Sequence, residues 1–373
     1  MPTEFGMNKN QNDSQQIDFV VSKTDFSRQA FRETDAGLTL NDGQVRMAVD
    51  KFALTANNIT YALVGELVQY WNFFPCSEEG FGRVPVWGFA DVIESRCSGV
   101  EKGERIYGFL PISTEFVASP VSISDSGFVD GMKHRQSLHP VYNQYSRVSG
   151  DPSYVAALEA QQMILRPLFM TSFLIEDFLR DIQYFGASRV ILSSASSKTA
   201  IGTAYQLAHA ANRPAELLGL TSQGNRDFVS GLGLYDAVTT YDDIEAMDPS
   251  VSSVLVDMAG NGDVLRRLHA HVNHNLKYSC RVGASHWDAN EAVELAGPKP
   301  EWFFAPAQFQ KRAGEIGTTQ LLQQFALAWG GFVGSTGDWM NIVERRGENA
   351  IQQTFNELLA GTAAPSNAFI LSF

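Results

Sequence analysis

Arg189-Val-Ile-Leu-Ser-Ser-Ala-Ser-Ser-Lys-Thr-Ala-Ile-Gly202, continuing as Thr203-Ala-Tyr-Gln-Leu-Ala208 and then Leu217-Leu-Gly-Leu-Thr-Ser-Gln-Gly-Asn-Arg226, is the stretch whose reading decides the fold. Val190, Ile191 and Leu192 form a short β-branched and aliphatic run that meets small residues, and an Ala-rich segment without internal Pro or Gly follows Gly202. The order strand, turn, helix, strand is half of a βαβ unit of the kind that seats a nucleotide pyrophosphate at the positive end of a helix. Glycine is what the turn lacks. Ser196, Ser197, Lys198 and Thr199 stand there as phosphate donors, the lysine adding charge, with Gly202 beyond them. The plainer alternative is an ordinary strand-to-helix cap carrying an exposed lysine. A P-loop is excluded, because Leu192 and Ser197 occupy both of its glycine positions.

The second strand ends Leu220-Thr221-Ser222, with no carboxylate to hold the ribose hydroxyls of NAD. Ser222, Asn225 and Arg226 instead suit a 2′-phosphate, so the cofactor expectation is NADP(H). Tyr241 is a weaker candidate for the same pocket, and a solvated surface arginine is the bland alternative. Gly260 and Gly283, after the next two apolar runs, would lie at the carboxyl ends of strands four and five, where open α/β sheets bind ligands.

At 373 residues the chain exceeds one ordinary core, so two domains are expected. A net charge of −13 with no lysine-rich block argues against nucleic acid or an anionic membrane as partner. Cys76, Cys97 and Cys280 are far apart and support neither a disulfide framework nor a zinc knuckle. Met1 to Gln16 is polar, lacks signal-peptide character and reads as a loose tail. No apolar run reaches the ~18 residues of a membrane span, and a cytoplasmic location is expected.

Short strands with turns open the chain: Phe19-Val-Val21, the Asn41-Asp-Gly43 turn, then Val45 to Val49. Val84 to Ser95 leads through Gly99-Val-Glu-Lys-Gly-Glu-Arg-Ile-Tyr-Gly108 into Phe109-Leu-Pro. This order, with the Val100 to Gly108 turn, the helix-like Gly347 to Gly361 and the closing Ala368 to Leu371, resembles the medium-chain dehydrogenase/reductase superfamily. The resemblance is to its zinc-independent quinone oxidoreductase and enoyl reductase branch and covers most of the chain. It implies a GroES-like β domain (17–165 and 310–373) around a Rossmann domain (166–309), a doubly wound parallel sheet, with the site in the cleft between them. It also implies an edge strand near Trp302 to Pro306 serving as a homodimer contact. Tyr154 to Arg166 and Leu168 to Phe185 read as two helices broken at Pro167. The span from Asp125 to Asp151, with His134, His139, Tyr142 and Tyr145, reads as a long polar and aromatic loop of functional use.

Zinc members of the superfamily carry a His-Glu pair after the strand glycine, whereas Gly88 is followed here by Phe89-Ala90, so no metal is expected. Charge developing on a substrate would then be stabilised by hydrogen-bond donors. The candidates are Tyr61, in the Asn57-Asn-Ile-Thr-Tyr segment, His134, Tyr142 and Tyr145 of the long loop, and His286 with Asp288 after the fifth strand. For each, the alternative is a satisfied packing residue. The implied activity is NADPH-dependent hydride transfer to a conjugated carbonyl, quinone or enoyl small molecule. The rivals are an NADPH-binding sensor without turnover, or a non-redox lyase or hydratase using the 125–151 loop.

Overall fold

The computed structural model describes residues 16–34, 39–211, 213, 216–282 and 295–373. The expected 1–16 tail lies outside them except for Gln16, which opens a strand. Six strands form a parallel sheet in the order Ala237–Thr240, Glu216–Thr221, Arg189–Leu192, Ser253–Asp257, Leu276–Arg281, Glu301–Trp302. This is the doubly wound order that reverses next to its first strand and opens a crevice there. Val190, Ile191, Leu192, Val254, Leu255 and Val256 are all buried, which is why these strands read as continuous apolar runs.

The second domain is built on a nine-stranded mixed sheet from both chain ends. Val45–Leu54 pairs antiparallel with Pro85–Ser95 on one side and with the closing strand Asn367–Ser372 on the other. Pro85–Ser95 then pairs with Arg105–Pro111, placing Trp87 opposite Phe109 and Phe89 opposite Tyr107. A three-stranded sheet of Gln29–Thr34, Gln16–Ser22 and Phe81–Gly82 completes the domain.

The span from Asp125 to Asp151 corrects one expectation. It is not loop throughout: Gly127–Asp130 and Gln144–Arg147 pair antiparallel and extend the large sheet. Arg135, 1% exposed, holds the segment together through an ion pair with Asp130 at 3.0 Å and hydrogen bonds to Phe73 O and Tyr145 Oη. Its guanidinium also lies 4.5 Å from the Phe74 ring centroid. Four-residue strands among glycines leave too short an alternation to read.

Pro167 brings the second correction, since one helix, Glu159–Asp181, runs straight through it. A proline inside a helix costs about 3 kcal/mol. The helix offsets this by burying Met163, Ile164, Leu165, Phe169, Phe173 and Leu174 between the domains. Against it pack Ala53, Phe89 and Ile370 of the large sheet, Ile201 of the nucleotide domain, and Phe325 and Phe332 of helix Thr318–Gly334.

Both ends of this helix are fixed by charge. Glu159 receives Arg105 at 2.9 Å, Lys51 at 2.7 Å and the Tyr154 hydroxyl at 2.7 Å. Burial alone would raise the Glu159 pKa, but the hydrogen bonds from Arg105, Lys51 and Tyr154 win and hold it at about 2. Asp177, near the other end, accepts from Gln308 and Arg312 of helix Ala305–Ile316. A carboxylate with a depressed folded pKa contributes stability that is present above its unfolded value of 4.5 and lost as pH falls toward 2. Glu159→Gln is therefore expected to lower stability by roughly 2–3 kcal/mol at neutral pH. Denaturant melts should show that gap closing between pH 4.5 and 2; a pH-independent gap would contradict the assignment.

Candidate active-site cleft

The turn after Arg189–Leu192 is built on serines where glycines are expected. Ser194 sits at φ +51, the left-handed region that glycine usually fills. For a non-glycine residue this costs about 1 kcal/mol. Its N–H donates to Tyr241 Oη at 3.1 Å, which places Tyr241 against the turn. Ser193 Oγ donates to the buried Asp257 at 2.6 Å and accepts from Met258 N, tying the turn to the end of the fourth strand. Ser196 Oγ accepts from Asn225 Nδ2 at 3.0 Å, and Ser197 caps helix Lys198–Ala208 by accepting from Ala200 N. Among the described residues, the backbone N–H groups of Ser196, Lys198 and Thr199 have no acceptor, and they share the helix N-terminus.

Other cofactor candidates divide. Arg226 is exposed, opens helix Arg226–Gly231 beside Ser222, and has no carboxylate partner among the described residues. Gly202 is buried at a helix crossing, where a Cβ would meet Ser172 Oγ at 2.8 Å, so it serves packing. Gly260, at φ +67, gives its N–H to the Asp257 carboxylate. Gly283, His286 and Asp288 lie outside the described residues.

Lys198 corrects the expectation of a phosphate donor. Its Nζ donates to Pro365 O at 3.2 Å and Asn367 O at 2.8 Å, joining the helix N-terminus to the closing strand of the other domain. No carboxylate faces it among the described residues, and burial lowers the ammonium's pKa to about 8. The sequence shows a lysine at a turn; only the docking of the chain's far end shows what it binds.

On the β-domain side, Tyr61 lies on helix Ala56–Leu63, 7% exposed. Its ring is 4.4 Å from Tyr70 and 5.7 Å from Phe109. Burial pushes the Tyr61 phenol well above its usual range, so it stays protonated. Trp87 and Asn57 lie close to its hydroxyl, and the Trp87 indole N–H is buried without a hydrogen-bond partner. Thr55, Asn57, Trp87, Met163 and Pro167 line a cavity of about 10 Å³, room for one water. Tyr142 joins the same group, its ring 4.7 Å from Phe109 and its hydroxyl 2.8 Å from Tyr70 Oη.

Tyr145 does not join it, and this corrects the expectation of a proton donor. It is 1% exposed, donates to Phe109 O at 2.8 Å and accepts from Arg135 at 3.1 Å. Burial takes its phenol to about 12. A ring nitrogen of His134 lies 3.3 Å from Phe73 O, so that nitrogen is engaged by backbone. Tyr70 and Trp87 carried no role in the sequence reading, although Trp87, Phe89, Tyr107 and Phe109 at alternate strand positions do mark an aromatic sheet face. Among the described residues no group of three or more His, Cys, Asp or Glu side chains could hold a metal ion, and no helix is long and apolar enough to cross a membrane.

A doubly wound parallel sheet joined to a mixed β domain is the fold expected from the resemblance to medium-chain dehydrogenase/reductase enzymes. Solved structures agree. CurA from Vibrio vulnificus in complex with NADPH is 12% identical, with 95% of this chain and 98% of that chain covered and a TM-score of 0.60. The yhdH oxidoreductase from Salmonella enterica in complex with NADP is 11% identical over 96% of this chain and 99% of that chain, at a TM-score of 0.54. The mitochondrial 2-enoyl thioester reductase Etr1p/Etr2p heterodimer from Candida tropicalis is 10% identical over 96% of this chain and 100% of that chain, at 0.55. Residues 52–364 match the family described as "Protein of unknown function (DUF2855)", and the chain belongs to that family. No curated protein matches it.

A lysine whose folded pKa lies below its unfolded value costs stability while protonated in both states. For Lys198 that cost is complete below about pH 8 and is relieved as pH rises toward 10.5. Relative to Lys198→Met, the wild type should gain stability across that window, by at most about 1.4 kcal/mol per pH unit. Thermal melts of both proteins at several pH values check this; parallel curves would show the amine is not enclosed.

Proposed function

We propose that the chain is an NADPH-dependent oxidoreductase that reduces a conjugated carbonyl, quinone or enoyl small molecule. The observation that carries the cofactor choice is the second-strand exit: Thr221 and Ser222 where an NAD site would place an acid, then exposed Arg226. The 2′-phosphate would meet Ser222 and Arg226. The pyrophosphate would meet the open N–H groups of Ser196, Lys198 and Thr199, with Asn225 bracing the turn through Ser196. CurA and the yhdH oxidoreductase, which share the fold, were solved with NADPH and NADP. When bound, NADPH supplies a hydride; one proton must reach the substrate as well, so that it gains two hydrogens overall.

The remaining work falls to the chain's own side chains. Trp87 and Tyr142, both partly exposed, would offer flat apolar faces to a planar substrate and exclude water from it, backed by the buried rings of Phe109 and Tyr61. Tyr61, held neutral by burial, can hold a proton toward the substrate. Trp302 and Phe304, 51% and 58% exposed, flank the edge of the parallel sheet and would form the contact of a homodimer.

Calorimetric titration tests the cofactor assignment. NADPH should bind at least ten-fold more tightly than NADH. Arg226→Ala should weaken NADPH by roughly 10-fold and leave NADH unchanged, reflecting about 1.4 kcal/mol of charge-assisted bonding. Equal affinities for the two cofactors in the wild type would refute it.

A further inference from the structure

We propose that Tyr70 and Tyr142 act as one hydroxyl dyad that binds the carbonyl oxygen of the substrate, a role that rests on the reductase reading above. The two hydroxyls lie 2.8 Å apart, their rings meeting edge to face at 5.5 Å. Tyr70 comes from the one-turn helix Tyr70–Asn72 and Tyr142 from the turn Pro140–Asn143, elements about seventy residues apart in sequence that the fold brings together.

A pair of phenols has two protons and uses one between its members. Neither hydroxyl has another hydrogen-bond partner among the described residues, so the second proton is not committed to any described protein acceptor. Burial raises both phenols well above their usual range, which keeps both protons in place through neutral and mildly alkaline pH. A donor polarised by a second hydroxyl in a low-dielectric pocket is suited to an oxygen that gains charge as it reacts.

The surroundings define what such an oxygen belongs to. Phe109 lies 4.7 Å from the Tyr142 ring, Phe73 at 5.4 Å and Trp87 at 6.2 Å, while Tyr61 packs on Tyr70. The Arg135 guanidinium lies over the far-side Phe73 ring at 5.5 Å and is paired with Asp130, while no guanidinium or ammonium lies over the rings of Tyr61, Tyr70, Trp87, Phe109 or Tyr142 among the described residues. His139 bridges from Tyr142, at 6.1 Å, to Phe304 of the nucleotide domain, at 5.7 Å, so the wall spans both halves of the cleft. The group that fits is planar, uncharged and conjugated, held by ring faces and oriented through one oxygen.

Binding of p-nitrophenolate, a planar delocalised oxyanion, tests the dyad without turnover. Absorbance titration of the full chain should show saturable binding, weakened roughly 10-fold by Tyr70→Phe and by Tyr142→Phe. The double variant should lose less than the product of the two single effects, because the hydroxyls act as a unit. Tyr154→Phe, whose hydroxyl bonds Glu159 outside the cage, should bind as the wild type does. Thermal melts establish that each variant is folded. Folded variants with wild-type affinity, or a wild type that does not bind the probe, would overturn the dyad. NADPH titration of the same samples separates the two claims: loss of NADPH binding with hydroxyl-dependent probe binding refutes the reductase reading and leaves the dyad standing.

Discussion

Helix Glu159–Asp181 is the constraint on which the rest depends, because both domains are packed on it. Its first residue is held by Arg105 and Lys51 of the large sheet, and Asp177 by Gln308 and Arg312 beyond the parallel sheet. Between those anchors, Gly202 lets helix Lys198–Ala208 approach Ser172 at van der Waals distance. The serine-rich turn at one end of that second helix and the aromatic wall around Trp87 are thus fixed relative to one rod. Packing of this density transmits small displacements rather than absorbing them.

The turn after Arg189–Leu192 holds its path without glycine. Ser194 takes the left-handed conformation, Ser193 bonds Asp257, Ser196 bonds Asn225 and Ser197 caps the helix. Each hydroxyl supplies locally what a glycine's freedom would otherwise permit. Burial of the Asp257 carboxyl raises its pKa, against the hydrogen bonds that lower it, so the crossing of Ser193 and Asp257 is a polar link inside an apolar sheet end. Lys198 adds a link to the other domain through Pro365 and Asn367.

Much of the fold was legible because it rests on local signals. The apolar runs at Val190–Leu192 and Val254–Val256, the acid-free end at Ser222 and the turn glycines of the β domain each carry their meaning within a few residues. What was not legible depends on contacts distant in sequence. Pro167 reads as a break because the apolar surfaces that keep the helix continuous come from Ala53, Phe325 and Ile370. Tyr145 looked like a donor because Phe109 O and Arg135, which consume its hydroxyl, cannot be seen from its neighbours. Tyr70 was passed over for the same reason in reverse, since its partner Tyr142 lies in a segment that reads as loop.

The central claim is that the cleft end of the parallel sheet, glycine-poor as it is, binds the phosphates of NADPH. Amide hydrogen exchange of the full chain with and without NADPH tests it most directly, because the open N–H groups of Ser196, Lys198 and Thr199 are the proposed contacts. The account predicts slowed exchange across 193–202 and 222–226 on adding NADPH, with the remote Pro120–Ser124 and Gly127–Asp130 strands unchanged. Unaltered exchange over 193–202 at a saturating NADPH concentration would contradict it.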